Sequence, residues 1–213
     1  MSEYIEYNKL SRQLNVIISG NVRGFGGCSG GICHTVNIAS NTIIEGPYFF
    51  ENCPNLETVS FGENVSITGS KTFLGCSSLK KLNTSSGLRL FGDAIFARCG
   101  FRVLVIQKGT IIDGNYSFGE CLDLVSVIIE DEVVISGNQT FANCPKLSIV
   151  RMGNGVQILG NETFANCDCL ETLRVGDDFK MTGKDNMAGC INISTSTHGN
   201  NLFYTDDSYR KLA

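Results

Sequence analysis

ISGNQTFANCPKLSIVRM, residues 135–152, is one copy of a unit that recurs through most of this 213-residue chain. Its cysteine returns every 22 or 23 residues. Seven cysteines share this spacing: Cys53, Cys76, Cys99, Cys121, Cys144, Cys167 and Cys190. A fixed period of roughly 20 to 50 residues is typical of a solenoid, whose coils bury their apolar faces only by stacking on their neighbours. The period therefore predicts a repeat fold.

Other columns of the repeat indicate what one coil looks like. An aromatic residue lies three positions before each of the first six cysteines, and Met187 takes that place before the seventh. A glycine lies four positions before each of these aromatic residues and before Met187. It predicts a tight bend, with a positive φ or a close backbone approach. Alternation at period two occurs twice per unit and predicts two short strands per coil. The FxxC corner between them is interpreted as a helical or 3₁₀ turn packed by its phenylalanine.

The fold predicted from these columns is mainly β. It is a solenoid of about eight coils of ~23 residues, with short strands or helical turns opposite a parallel sheet. The repeats are placed at residues 15–193, opening with an irregular unit whose corner is FGGC at 25–28. Residues 1–14 are interpreted as an N-terminal segment or cap, and residues 194–213 as a C-terminal cap or tail.

Composition excludes some classes of function. The formal net charge is -4, whereas a nucleic-acid-binding protein needs a basic stripe. No apolar run approaches the ~20 residues that span a bilayer, so no membrane span is expected. The N-terminus lacks a basic start followed by an apolar stretch, which favours an intracellular or assembly-associated location. No nucleotide-binding or catalytic motif is found, so we expect no cofactor and no enzymatic activity.

The cysteines allow more than one interpretation. Equivalent positions in stacked coils lie about 4.8 Å apart with parallel side chains, whereas a disulfide needs converging side chains. We therefore predict a ladder of reduced, buried thiols that act as small apolar fillers, with one or more disulfides as the alternative. Cys28, Cys33 and His34 form a CxxxxCH cluster. It fits an ordinary glycine-rich loop best, a Cys28–Cys33 disulfide or a zinc site lacking its fourth ligand less well.

Three asparagines of NxS or NxT triplets recur at one place in the unit: Asn115, Asn138 and Asn161. Such triplets are glycan acceptors in secreted eukaryotic proteins. Because asparagine supports turns and serine or threonine caps a short corner, turn chemistry accounts for them without a glycan.

The pattern IxGxxTFANCxxLxxVxM at residues 135–152 resembles the BspA-like, or Treponema-type, leucine-rich repeat. The resemblance extends over residues 16 to about 193. It implies a curved leucine-rich-repeat solenoid with a parallel sheet on its concave face, formed by the segment after each cysteine. It also implies binding of a protein partner, often as a surface adhesin, so surface exposure is an expectation by resemblance.

Binding is expected on residues that the repeat does not dictate. Positions five and seven after each cysteine are predicted to point outward from the sheet. Four of them form a predicted apolar patch, Leu104, Ile106, Ile128 and Ile149, edged by Lys81, Arg151 and Arg174. The alternative is a register slip by one around Arg102, where the unit is one residue short and where the leucine column is also broken.

Two classes of function follow from the sequence. The first is a non-catalytic protein-binding module, adhesin-like or scaffold-like, that acts through the concave sheet. The alternative is a structural subunit of a larger assembly, such as a cell-surface array or a virion component.

Overall fold

The computed structural model describes residues 3–4, 15–23, 31–197, 199–201 and 203–204. Each coil contributes two parallel strands, one to a back sheet and one to the opposite, front side. The back strands are β1 (Glu3–Tyr4), β3 (Asn21–Arg23), β5 (Ile43–Glu45), β7 (Ser66–Ile67), β9 (Arg89–Leu90), β11 (Ile111–Ile112), β13 (Val134–Ile135), β15 (Gln157–Ile158), β17 (Lys180–Met181) and β19 (Phe203–Tyr204). The front strands are β2 (Asn15–Ile18), β4 (Thr35–Ile38), β6 (Thr58–Phe61), β8 (Lys81–Asn83), β10 (Val103–Ile106), β12 (Ser126–Ile129), β14 (Ile149–Met152), β16 (Thr172–Arg174) and β18 (Thr195–Thr197).

The predicted fold class is confirmed, since the described residues contain strands and turns but no helix. All ten back strands form one parallel sheet in chain order. The front strands form two parallel sheets, β2 to β8 and β10 to β18. The parallel ladders include β1, β18 and β19, which lie in the segments predicted as caps. The front side is thus interrupted once, between β8 and β10.

This interruption coincides with the unit that is one residue short. Leu104 pairs in register with Val127, and Ile106 pairs with Ile129. Phe101 is fully buried and takes the place of the leucine that follows the other cysteines. The missing residue therefore lies between Cys99 and Phe101, and the break assigned to Arg102 is a register slip.

A stack of phenylalanine rings runs through the core. Successive rings lie 5.0 to 5.4 Å apart between centroids and are nearly parallel, in the order Phe50, Phe73, Phe96, Phe118, Phe141 and Phe164. Offset stacking at this distance adds to the free energy of burying each ring. The corner phenylalanine therefore links each coil to both neighbours, as the repeat predicts.

The cysteine column forms a hydrogen-bonded ladder. Six free thiols donate to the phenylalanine carbonyl oxygen of the preceding coil, at 3.1 to 3.5 Å: Cys76, Cys99, Cys121, Cys144, Cys167 and Cys190. The prediction of apolar fillers is thus incomplete, because each thiol also satisfies a buried carbonyl. Cys53 is disulfide-bonded, which departs from the fully reduced ladder.

The predicted alternative of a Cys28–Cys33 disulfide is wrong, because Cys33 is a free, buried thiol. Cys28 and the FGGC corner lie outside the described residues. Burial raises the pKa of Cys33 to about 11 and that of Cys190 to about 12. Burial also raises the pKa of Cys99 well above its usual value. These thiols therefore carry little thiolate near neutral pH.

We expect alkylation to separate the cysteines into two classes. Iodoacetamide at about pH 8 attacks thiolates, so the exposed Cys169 should react in the folded protein. The seven buried free cysteines of the described region should react only after unfolding in urea. Peptide mass spectrometry of samples labelled before and after urea treatment measures this. Labelling of Cys121 or Cys144 in the folded protein as fast as Cys169 would contradict the buried ladder.

The FxxC corner is not the helical turn that the sequence predicts. In one coil Lys71 has φ 58° and Gly75 has φ 75°, so the backbone enters the left-handed region at both ends of the corner. The N–H groups of Lys71, Phe73 and Gly75 donate to carbonyl oxygens of the next coil at 2.7 to 2.9 Å. A helical corner would direct these groups along its own axis. The observed corner instead joins neighbouring coils through these hydrogen bonds.

The recurring asparagines also join coils. The Asn138 backbone N–H and its side-chain Nδ2 both donate to Asn115 Oδ1, at 2.9 and 3.0 Å. Asn161 bonds to Asn138 Oδ1 in the same way, at 2.8 and 3.0 Å. The Thr140 hydroxyl donates to the Gly137 carbonyl oxygen at 3.0 Å. The turn role predicted for these residues is thus realised as a ladder along the surface of the solenoid.

Candidate functional site

The front strands present an apolar patch on their outer side. Val103 is 53% exposed, and Val105, Ile128 and Ile149 are each partly exposed. Val105 lies directly beside Ile128 in the ladder. Ile149 of the next strand lies beside Ser126, which belongs to the same strand as Ile128. We call Val103, Val105, Ile128 and Ile149 the front patch. It spans β10, β12 and β14, which are hydrogen-bonded neighbours.

Two residues of the predicted patch are on the wrong side. Leu104 and Ile106 are each only 1% exposed, so they pack in the core rather than face solvent. Because the missing residue precedes Phe101, the side chains of residues 103–106 point to the side opposite from the one predicted. Val103 and Val105 occupy the outward positions instead. Ile128 and Ile149 lie where the sequence predicts them.

Cationic side chains border the front patch. Lys81 lies in β8, on one side of β10, and is exposed. Arg151 pairs in register with Ile128 on the other side, and Arg174 pairs with Arg151. Both arginines are exposed. The three predicted edge residues thus surround an apolar centre, an arrangement typical of interaction surfaces.

A shallow groove lies at the carboxyl ends of the same strands. It has a volume of about 320 Å³ and is lined by Lys108, Ile128, Ile129, Glu130, Asp131, Arg151, Met152 and Gly153. Lys108 pairs with Glu132 at 3.2 Å. The groove is adjacent to the front patch, because its lining includes Ile128 of the patch and Arg151 of the cationic border. A ligand on the patch can therefore extend into this groove.

A second polar cluster lies on the corner side of the solenoid. Arg98 Nε contacts Glu120 Oε2 at 2.6 Å, and the Tyr116 hydroxyl donates to Glu120 Oε1 at 2.6 Å. The hydrogen bond from Arg98 lowers the pKa of Glu120. Desolvation raises the pKa of Tyr116 to about 12. Both oxygens of Glu120 are engaged, so the cluster connects coils and offers no unpaired base.

The histidine and cysteine cluster does not form a metal site in the described region. No group of three or more metal-ligating side chains comes together among the described residues. The Cys33 thiol donates to the Thr35 carbonyl oxygen at 3.5 Å, and His34 Nδ1 lies 3.5 Å from Glu57. Cys28 and His198 lie outside the described residues. Within those residues, moreover, no helix has the length and apolar character of a membrane span.

The chain matches the family model of the BspA type leucine rich repeat region, in six copies over residues 7–113 and 92–209. No curated protein sequence matches significantly. Among solved structures, a leucine rich repeat protein from T. pallidum is 23% identical, with 84% of this chain and 83% of that one covered and a TM-score of 0.57. This likeness supports the fold.

Two more distant structures also match. A leucine rich cell surface protein from Faecalibacterium prausnitzii is 12% identical, with 95% and 90% of the two chains covered and a TM-score of 0.28. A leucine-rich repeat protein from Bacteroides ovatus is 14% identical, with 85% and 86% covered and a TM-score of 0.32.

Proposed function

Because the chain belongs to the BspA-type leucine-rich repeat family, we propose that it is a non-catalytic module, adhesin-like or scaffold-like, that binds a protein partner through its front strands. The observation that carries this proposal is the front patch. Its four apolar side chains face outward side by side on three neighbouring, hydrogen-bonded strands. The resemblance implies that this side of the solenoid is concave.

The composition of the surface supports a protein partner rather than a small molecule. A protein interface combines an apolar centre with a polar rim, and Lys81, Arg151 and Arg174 supply such a rim. Arginine contributes more than most residues to the binding free energy of interfaces. The groove beside Ile128 is shallow and open to solvent, whereas small-molecule sites enclose most of their ligand.

We expect the double variant Val105→Glu with Ile128→Glu to lose partner binding. Two carboxylates at the centre of the patch would be desolvated on binding, which should weaken the affinity by at least about a hundred-fold. Proteins captured by the parent chain but not by the variant would be identified by mass spectrometry. The affinity for the purified partner would then be measured by titration calorimetry.

The control is Arg89→Glu, an exposed position on the back sheet. It should keep the affinity of the parent chain. Both variants should keep the parent circular-dichroism spectrum, because Val105 and Ile128 point away from the core. An unchanged affinity of the double variant for the partner would refute the role of the front patch.

A further inference from the structure

The shortened coil leaves a hollow at the amino ends of the front strands. Its volume is about 480 Å³, and its lining residues are Lys80, Gly100, Arg102, Asp123, Val125 and Lys146. We propose that this hollow, here called the Gly100 hollow, binds an acidic peptide segment of the protein partner. The inference rests on the proposed function, because it assigns the segment to the partner that the front patch binds.

The hollow lies where one glycine takes the place of the two residues that other coils have after the cysteine. Leu122 and Asp123 separate Cys121 from its buried leucine, whereas Gly100 alone separates Cys99 from Phe101. Gly100 has no side chain, and an added Cβ would overlap the carbonyl oxygen of Ser77. The break between β8 and β10 lies at the same place. The backbone of the shortened coil therefore packs closely against the preceding coil at Gly100, which lines the hollow without a side chain.

The charge around the hollow is mainly positive. Lys80, Arg102 and Lys146 are exposed cations, and Asp123 is the one carboxylate in the lining. Asp123 Oδ1 accepts a hydrogen bond from Lys146 Nζ at 2.7 Å, and this bond lowers the pKa of Asp123. Lys80 and Arg102 form no ion pair with any described residue. They are the cations available to a ligand.

Arg102 and Lys80 suit the carboxylates of a peptide. A guanidinium group binds a carboxylate through two parallel hydrogen bonds, and an ammonium group adds a second charge beside it. Arg102 directly precedes Val103 of the front patch, so a partner that covers the patch lies next to the hollow. The other cations of this side, Lys81, Arg151 and Arg174, favour the same acidic partner although the whole chain has a net charge of -4.

The lining favours a short acidic peptide over a sulfated polysaccharide. Val125 is apolar, and Leu122, beside Asp123, is 60% exposed, so apolar side chains of a peptide find contacts. The cationic stretch is short, because Glu57 and Glu171 occupy the position of Lys80 and Arg102 in other coils. A densely sulfated chain that extends beyond the hollow would meet Glu57 and Glu171 as repulsive neighbours, whereas a short peptide stays within the hollow.

The test uses a short fluorescein-labelled glutamate-rich peptide and fluorescence anisotropy with the full chain. We expect Lys80→Glu with Arg102→Glu to weaken binding by about ten-fold or more, because two charge-assisted contacts become repulsive.

A second variant replaces Gly100 with a Ser–Ser pair, the residues that Ser77 and Ser78 contribute to the preceding coil. It should fill the hollow and weaken binding to a similar extent without changing any charge. Asp123→Asn should tighten binding by roughly three-fold by removing the carboxylate.

The matched control is Arg89→Glu with Lys184→Glu, which changes the net charge equally at exposed positions away from the hollow. It should keep the peptide affinity, and a glutamine-rich peptide should not bind the parent chain. Equal losses in the control and in the hollow variant would overturn the proposal, as would no binding by the parent chain. Binding of a heparin oligosaccharide that needs Lys80 and Arg102, without binding of the peptide, would also overturn it.

The peptide assay separates this inference from the proposed function. The front-patch variant Val105→Glu with Ile128→Glu leaves the cations of the hollow in place. If partner binding does not depend on the patch but the peptide still needs Lys80 and Arg102, the proposed function fails and the hollow remains an acidic-peptide site. If the partner needs the patch but the peptide does not need the hollow, this inference fails alone.

Discussion

Replacing Phe96 with alanine is expected to lower the free energy of unfolding by about 3 to 5 kcal/mol, the usual range for a buried phenylalanine. Phe96 is fully buried in the middle of the ring stack. Its centroid lies 5.0 Å from that of Phe73 and 5.3 Å from that of Phe118. The rings of Phe61 and Phe101 pack against it in T-shaped arrangements, with centroids 6.2 and 6.1 Å from its own. The variant loses stacking on both sides and leaves a cavity.

The stability of a solenoid is close to a sum of coil energies and contacts between neighbours. A cavity at Phe96 should therefore weaken the connection between the coils on either side. We expect the urea transition, followed by circular dichroism, to shift to lower denaturant and to broaden. Phe91→Ala is the control, because Phe91 is 41% exposed. A change at Phe96 of less than about 1 kcal/mol would contradict the stacking role.

Replacing Gly114 with alanine is expected to destabilise the chain by about 3 kcal/mol or more, because overpacking forces backbone shifts. An added Cβ at Gly114 would overlap the carbonyl oxygen of Gly92 in the preceding coil. The parallel ladder sets the separation between these coils, so the carbonyl cannot retreat without breaking hydrogen bonds. The repeat glycines are required here by close backbone approach. Of the seven, only Gly46 has a positive φ, at 94°.

The control for this prediction is Gly109→Ala. Gly109 has φ +70°, and an added Cβ would meet no atom within 4 Å. Its cost should be about 1 kcal/mol, from backbone strain alone. Urea denaturation of both variants compares the two causes. If Gly114→Ala costs no more than Gly109→Ala, the close contact between coils does not govern this position.

Much of the fold could be predicted from the periodic columns. A residue type that recurs at one spacing must occupy the same place in every coil, and only stacking buries all copies together. The buried state of Phe118, Cys121 and Leu124 follows from this reasoning, and so does the outward direction of Ile128. The conformation of the FxxC corner does not follow, because residues such as Lys71 and Tyr116 have no intrinsic preference for a left-handed backbone. The hydrogen bonds to the next coil stabilise it there.

The front patch shows where prediction from sequence stops. Residues 103–106 read VLVI, so either alternation places apolar side chains inside and outside. The sequence also leaves open whether Phe101 or Arg102 takes the leucine position in the short coil. In the structure the core accepts the phenylalanine ring of Phe101, which is fully buried. That packing reverses the directions of the side chains of residues 103–106.

The sequence by itself determined the period, the parallel strands, the buried columns and the family, because each of these repeats and the copies support one another. Only the tertiary structure decided which side of residues 103–106 faces solvent, where the cysteine thiols donate their hydrogen bonds, and that a hollow opens beside Gly100. These three features depend on contacts between coils, which join residues about 23 positions apart in the sequence. The direction of residues 103–106 and the hollow arise where the repeat is irregular, and the thiol hydrogen bonds arise where a side chain meets the backbone of the neighbouring coil. The proposed binding surfaces lie where the repeat is broken and the missing residue changes the packing.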